Sequence, residues 1–372
     1  MTKILFFDKG GRNKREKLIK QGKAPRDFLQ GLDFLAENGY DIEHYSSSKK
    51  YKENLFFKFG RWIEQFFSLI SNIGIRPLSV FQFRKKINNA SYVVSLTDGF
   101  SISLGFYYYF INRKSKIKLA GGFHKLSDYD KNVSLIIRYI YYWIIKLSLK
   151  RLNYIIFYGE ADKKNSIKIF GLKKENTYII KFGVDTYFWE PIHKKTFDSN
   201  YLFSIGQDPA RDFNTLLKVN SKKKIHIHTS LLEEINNKSL KITNGTYYKY
   251  KNNFTDLKIK KLYQESFAVL VPIKNVYQPS GYSVTLQAMA CGKPVILTIT
   301  KGLWAPNLFK HKENCLLVNP YDPKEFEEAI SFLENNIDLY EKICLEARKT
   351  VINHFSLDIA NKSTLEIFKN FI

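Results

Sequence analysis

Two series of short apolar runs, each interleaved with segments of helical spacing, divide this 372-residue chain near residue 190. Lys3–Asp8 (KILFFD) reads as a buried strand that leaves through Lys9-Gly10-Gly11. Arg26–Asn38 follows, with Phe28, Leu32, Leu35 and Ala36 at helical spacing and Asn38-Gly39 as its stop. Asp41–Tyr45 is the next strand, and a β-α-β opening of this kind predicts a parallel sheet with crossover helices. Further strands are expected at Ser91–Leu96, Ile117–Ala120 and Tyr154–Tyr158. The pattern breaks at Lys181–Pro191, and a polar linker runs to about Asn200. It then restarts, with strands expected at Tyr201–Ile205, Lys224–His228, Ala268–Val271 and Pro294–Leu297. Helices are expected at Phe213–Val219, Ser283–Ala290 and Pro323–Glu334. The chain therefore reads as two α/β halves, each long enough to bury its own core.

Charge is distributed unevenly between the halves. Lysine supplies 48 of the 59 basic residues, alongside much Asn, Ile, Tyr and Phe, a mixture that an AT-rich genome encodes. Such a bias acts evenly along a chain, yet residues 1–185 hold 34 Lys/Arg against 16 Asp/Glu and residues 186–372 hold 25 against 19. The excess in the first half predicts a local anionic partner: phosphates, nucleic acid or an anionic membrane surface. Cys291, Cys315 and Cys344 are unclustered, which excludes a disulfide scaffold or a cysteine zinc site and fits a reduced, cytoplasmic setting. The N-terminal apolar run is too short for a signal peptide. Val133–Leu149 contains Arg138 and Lys146 and falls short of the roughly 20 residues of a bilayer span, so it reads as a buried or interfacial helix.

The stretch most informative for function is Gln278–Ile296 (QPSGYSVTLQAMACGKPVI). A polar glycine turn feeds an amphipathic helix, and a second glycine turn leads into a buried strand. The first turn presents the backbone amides of Ser283, Val284 and Thr285 at a helix N-terminus, where an anion is favoured. Gln287 lies about one helical turn later and can face the same ligand. From the residues alone, this segment is equally an ordinary α/β unit.

Four segments in order make the chain resemble the retaining GT-B glycosyltransferases of glycosyltransferase family 4. Gln287-Ala-Met-Ala-Cys-Gly-Lys-Pro-Val295 is similar to the family's Glu-Ala-Met-Ala-x-Gly-x-Pro-Val. Ile180-Lys-Phe-Gly-Val-Asp185 through Pro191 is similar to its hinge motif, Ser204-Ile-Gly206 through Leu217 to its second-domain glycine loop, and Asn314 through Asp322 to its Gly-x-Leu-Val-x-Pro-x-Asp. Gly10 and Gly11 fit its first strand–loop. The resemblance implies two Rossmann-like domains facing each other across a cleft. Residues 1–184 would bind the acceptor and 185–354 the nucleotide sugar, with 355–372 a helix returning to the first domain. The chain departs from the pattern at the family's acidic pair, whose positions fall on Pro279 and Gln287.

The resemblance also assigns roles. Gly206, Ser280, Gly281, Tyr282, Ser283, Val284, Thr285 and Gln287 would bind the donor with Gly10 and Gly11, Gln287 accepting from or donating to a ribose hydroxyl. Arg211 would neutralise the leaving diphosphate without a metal, its bland alternative being a loop arginine paired with Asp208 or Asp212. Lys293 is a weaker candidate of the same kind, since a lysine after a helix C-terminus is favoured anyway. On the acceptor side, His124 follows a strand in Ala120-Gly-Gly-Phe-His124, and Asp98 follows another, so both fall at the sheet edge where open α/β folds bind ligands. His124 either lines the site or is a plain loop histidine. Family members are thought to react on one face of the donor sugar, with the leaving phosphate taking the acceptor proton.

No metal cluster is visible in the sequence; His226 and His228 share a strand face without an acidic partner nearby. Tyr51–Ile70 mixes Phe, Trp and Leu with Lys52, Lys58 and Arg61, and Phe56, Phe57, Phe59, Ile63, Phe66, Phe67 and Ile70 form a wide apolar face. It reads either as a helix lying in a membrane interface or as a core helix. The expectation is a retaining, metal-independent hexosyltransferase, peripheral on the inner face of the plasma membrane, with a lipid or lipid-linked glycan acceptor. Three alternatives stand beside it: an enzyme for soluble glycans or small metabolites, an inactive scaffold, and a basic nucleic-acid-binding protein.

Overall fold

A computed structural model of the protein describes residues 3–8, 12–29, 31–46, 55–71, 73–130, 135–192, 197–232, 240–244 and 254–371. The first half runs β1 (Lys3–Asp8), α1 (Arg12–Lys20), α2 (Leu32–Glu37), β2 (Asp41–Ser46), α3 (Leu55–Ile70), α4 (Pro77–Asn88) and β3 (Tyr92–Ser95). It continues with α5 (Asp98–Phe110), β4 (Lys118–Phe123), α6 (Leu135–Leu149), β5 (Tyr154–Phe157), α7 (Glu160–Phe170) and β6 (Thr177–Ile179). The second half runs β7 (Tyr201–Ile205), α8 (Phe213–Leu216), β8 (Lys224–Thr229), β9 (Leu240–Asn244), α9 (Asp256–Glu265), β10 (Val269–Val271), α10 (Tyr282–Ala290) and β11 (Val295–Thr298). β12 (Leu316–Val318), α11 (Pro323–Glu334), α12 (Ile337–Phe355) and α13 (Leu357–Lys369) complete it.

Among the described residues each half holds a parallel six-stranded sheet, ordered β2-β1-β3-β4-β5-β6 in the first and β12-β11-β10-β7-β8-β9 in the second. Helices cover both faces, which is why the central strands are continuous apolar runs: Ile4 to Phe7 and Val269 to Val271 are all buried. This is the GT-B arrangement of two Rossmann-like layers. In each sheet the strand order reverses beside the first strand, between β1 and β3 and between β7 and β10. Crevices for ligands open at such reversals, beyond the carboxyl ends of the strands.

Two expectations are corrected. The helix expected over 26–38 is split into a single 3-10 turn, Asp27–Leu29, and α2, with Gly31 between them at φ 76°. The space beside Gly31 is filled by Asn361 and Thr364 of α13, 3.2 and 3.4 Å from where a Cβ would sit. The strand expected to end at Ala120 runs on to Phe123, so Gly121 and Gly122 are part of β4 and not of the loop after it. A side chain at Gly121 would strike Leu152 and Ser101, and one at Gly122 would press on the Leu96 backbone, so the glycines serve close packing.

The last helix crosses back to the first sheet. Phe368 and Phe371 are buried with Ile4, Phe6, Val94 and Ile156, and Phe371 stacks on Tyr154 at 4.0 Å. Among the described residues no helix is long and apolar enough to cross a membrane.

Candidate functional site

The reversal point of the second sheet carries the loop after β7, residues 206–212, and the loop after β10, residues 272–281. Arg211 and Ile273 pair as an isolated antiparallel bridge, which ties the two loops together. The Arg211 side chain then folds under Gly206 and Gly281. A Cβ at Gly206 would lie 2.5 Å from Arg211 Nε, and one at Gly281 would lie 3.4 Å from Nη1. Gly281 also has φ 84°, which starts α10 without a side-chain cap.

Arg211 is 5% exposed, and its Nη1 has no hydrogen-bond partner. The bland pairing with a neighbouring carboxylate is not made. Asp208 accepts from the Ala210 amide at 3.0 Å and from Gln278 Nε2 at 2.7 Å, and Asp212 accepts from Thr215 Oγ1 at 2.5 Å. Burial pulls the guanidinium below its ordinary range, opposed by the charge of Asp208. Around it, Ser280 Oγ, Thr285 Oγ1, Gln207 Nε2 and Trp304 Nε1 are also buried without partners. Buried polar atoms are nearly always satisfied, so five orphans on the two loops, the first turns of α10 and nearby Trp304 mark a surface built for a polar ligand.

The helix starts one residue earlier than expected, and the Thr285 amide donates to Gly281 O at 3.0 Å. Thr285 therefore offers its hydroxyl rather than its amide, and the first-turn amides are those of Tyr282, Ser283 and Val284. The Tyr282 ring packs on Phe182 at 4.5 Å and lies 6.2 Å from Trp304.

Gln287 is directed elsewhere. Its Nε2 donates to Asp27 Oδ2 of the first half at 2.9 Å, and its Oε1 lies 3.5 Å from the Tyr263 hydroxyl. Asp27 is buried and also accepts from Trp189 Nε1 at 2.7 Å and from the Asp185 amide at 2.6 Å. Burial raises the Asp27 carboxyl to about 7 against these three donors. Lys293 is likewise not brought to the loops. It follows the far end of the nine-residue α10, about 14 Å of helix from Gly281. There burial lowers its ammonium to about 8, with Cys344, Cys291 and Glu265 opposing.

On the facing edge of the first sheet, His124 directly follows β4 and stacks on Tyr158 at 4.1 Å with rings 2° from parallel. Asp98, in the first turn of α5, holds the loop that carries His124: its Oδ1 accepts from the amides of His124 at 3.0 Å and Lys125 at 3.1 Å. Two further groups here were not singled out by sequence reading. Tyr158 Oη and Thr97 Oγ1 are buried and unpartnered, and burial pushes the Tyr158 phenol well above its ordinary value. Their position after β5 and β3 was the available signal. Gly10 and Gly11 lie outside the described residues.

The two edges meet. Asp162, buried, accepts from the Ser127 amide at 2.8 Å, and Asp128 Oδ2 accepts from the amides of Tyr277 at 3.0 Å and Gln278 at 2.9 Å. Pro279 rests against Gly159, 3.1 Å from where a Cβ there would sit. The loop bearing His124 is thus joined through Asp128, Gln278 and Asp208 to the loop bearing Arg211. No alignable motif marks Asp128 or Asp27; both act on residues more than 140 positions away.

Away from this cleft, His226 stacks on Tyr201 at 4.4 Å and His228 on Phe254 at 3.6 Å. Among the described residues no group of three or more His, Cys, Asp or Glu side chains is placed to hold a metal ion. α3 is neither wholly core nor wholly surface. Phe67 turns in to stack on Tyr141, while Phe59, Trp62 and Phe66 form an outward ladder of stacked rings that Leu69 extends. Neighbouring α6 exposes Leu135, Ile136, Tyr139, Ile140 and Trp143. The side chains of Phe56, Phe57 and Ile70 lie outside the described residues.

Residues 216–336 match the family model for glycosyl transferases group 1. No curated protein matches the chain in sequence. Among solved structures, HepE from Anabaena, in complex with UDP and glucose, is similar over all of both chains, with TM-score 0.65 and 14% identity. Sucrose-phosphate synthase from Thermosynechococcus elongatus is similar over 100% of this chain and 99% of that one, with TM-score 0.69 and 13% identity. The lipopolysaccharide outer core galactosyltransferase WaaB is similar over 99% and 100%, with TM-score 0.59 and 12% identity. At such identities the likeness establishes the GT-B fold.

Proposed function

We propose that this chain, which carries a group 1 glycosyl transferase domain on a GT-B fold, is a retaining hexosyltransferase that takes its sugar from a nucleoside diphosphate donor. The observation that carries this reading is the buried, unpartnered Arg211 Nη1 between Gly206 and Gly281, with Ser280 Oγ and Thr285 Oγ1 also orphaned nearby. A diphosphate supplies the acceptors and the charge that this set lacks. In a dry site each charge-assisted bond is stronger than in water, and the α10 N-terminus adds its positive end. Arg211 and that helix end would stabilise the charge that builds on the departing diphosphate, with no metal required. UDP is the first nucleotide to test, since the HepE structure holds it.

The acceptor oxygen would attack the anomeric carbon on the same face that the diphosphate leaves, so that the configuration is retained as the bond to the diphosphate breaks. Its proton would pass to the leaving phosphate oxygen. His124 and Tyr158 would line the acceptor face, and Asp98 would hold their loop in place.

We further propose a lipid or lipid-linked glycan as acceptor, met at the cytoplasmic face of the membrane. The support is the exposed ring ladder of α3 beside the apolar face of α6, with Lys58, Arg61, Arg138 and Lys146 on the same two helices. The chain beyond α3 leads to Gly74, whose carbonyl is seated against Gly99, next to Asp98. A lipid tail resting on these helices would therefore bring its head group to the His124 loop.

The test is thermal melting with UDP, GDP, ADP and their sugar conjugates. One nucleotide should stabilise the protein and should fail to stabilise Arg211→Ala. Absence of any shift at millimolar ligand would overturn the reading.

A further inference from the structure

We propose that Asp27 and Asp128 are positioning residues that pin the two ends of the donor segment, Tyr277–Gln287, to the first half of the chain. The donor pocket is then shaped only when the halves are docked. The inference rests on the donor-site reading above, and its geometry stands independently of any ligand.

The two positions at which the resemblance called for carboxylates hold Pro279 and Gln287. In the folded chain each end of the segment meets a carboxylate supplied from the other half. Asp27 Oδ2 takes the Gln287 amide at 2.9 Å, and Asp128 Oδ2 takes the two amides just before Pro279 at 3.0 and 2.9 Å. Both aspartates are buried, 2% and 3% exposed. Buried hydrogen bonds of this kind matter because losing one partner leaves the other polar group unsatisfied away from water.

Each clamp is connected onward. Asp27 also takes the Asp185 amide and the Trp189 indole, so the first clamp sits on the crossover between the halves. Asp128 belongs to the loop that Asp98 and Asp162 hold by its amides, so the second clamp sits at the mouth of the cleft. Between them lie Ser280, Gly281 and the first turns of α10, the wall against which Arg211 is packed.

The arrangement makes a counterintuitive demand on position 287. A glutamate there, the family-like residue, would set a second carboxylate within about 3 Å of Asp27. Two buried carboxylates that close cannot both ionise. Gln287→Glu is therefore expected to lower Tm by several degrees and weaken docking, where simple reversion to the family pattern would strengthen donor binding. In an Asp27→Asn background the same substitution should cost less, because an amide and a carboxylate again face each other. At the other clamp, Asp128→Ala should speed exchange of the Tyr277 and Gln278 amide hydrogens by about tenfold or more. Asp128→Asn, which keeps one acceptor oxygen, should restore most of the protection.

The experiment is this double-mutant cycle by thermal melting, joined to amide exchange on ligand-free wild type, Asp128→Ala and Asp128→Asn, with UDP affinity measured on each. UDP affinity should fall in Asp128→Ala and recover in Asp128→Asn, a rescue that a merely structural role elsewhere would not give. A Gln287→Glu protein as stable as wild type, or unchanged exchange at Tyr277 and Gln278, would overturn the proposal. Should Gln287→Glu fail to fold, soluble Asp27→Asn/Gln287→Glu supports the clamp and an equally unfolded double variant counts against it. If wild type does not bind UDP, the donor reading fails while exchange and the stability cycle still decide the clamps.

Discussion

Gly206 and Arg211 share one small volume: the place a Cβ would take on the glycine lies 2.5 Å from the arginine Nε. The guanidinium is therefore held by packing rather than by a counter-charge, and it stays available to an anion. Gly206→Ala should push Arg211 aside and weaken UDP binding by about tenfold to a hundredfold, with Arg211→Lys similar because it cannot reproduce the fixed fork. Calorimetric titration with UDP checks both; full affinity in Gly206→Ala would remove Arg211 from the phosphate site.

Asp27 makes stability depend on pH. Burial raises its carboxyl from 3.8 to about 7, and Asp162 is raised to about 7 by the same cause. Between about pH 4 and 7 the native chain then binds more protons than the unfolded one, so stability falls as pH rises through that window. The groups facing Asp27 are Asp185, whose charge adds to the rise, and the amides and indole that oppose it. Asp27→Asn should flatten the decline by about half, read as urea midpoints at pH 5 and pH 7.5. An unchanged slope would mean that Asp27 stays ionised.

Membrane contact is expected to depend on side chains that contribute little to folding. Phe59 and Trp62 are 64% and 61% exposed, so Phe59→Ser/Trp62→Ser should leave Tm within about 2 °C of wild type. The same pair should cut co-sedimentation with anionic vesicles by about tenfold. Equal sedimentation of wild type and variant would leave the α3 face without that role.

Lys293→Met should leave UDP affinity unchanged. Its ammonium is buried beyond the far end of α10 and shifted down to about 8 by that burial, away from the loops that carry Arg211. A UDP titration on this variant checks it; a weakened complex would bring Lys293 back to the donor site.

What the sequence made legible was local. β1, β7 and α11 have the bounds that their apolar runs and caps announced. β6, β9 and β12 were not anticipated, because three to five residues at a sheet edge or beside a loop carry no measurable period. Arg211 was legible because its glycine loop is contiguous with it. Asp27, Asp128 and Tyr158 were not, since their meaning lies in partners across the cleft or at another strand's end. Gln287 shows the limit most clearly: helical spacing let it face a ligand at the α10 N-terminus, yet its side chain is taken up by Asp27 of the other half.

α13 has a consequence for the order of assembly. Phe368 and Phe371 close a hydrophobic layer whose other members include Ile4, Phe6 and Val94, more than 270 positions earlier. A ribosome making this chain releases the first sheet long before it releases the lid for that face. The N-terminal half must then wait, one side open to chaperones or to unwanted neighbours, until the final helix emerges. Completion of the first domain's core therefore follows synthesis of the second half.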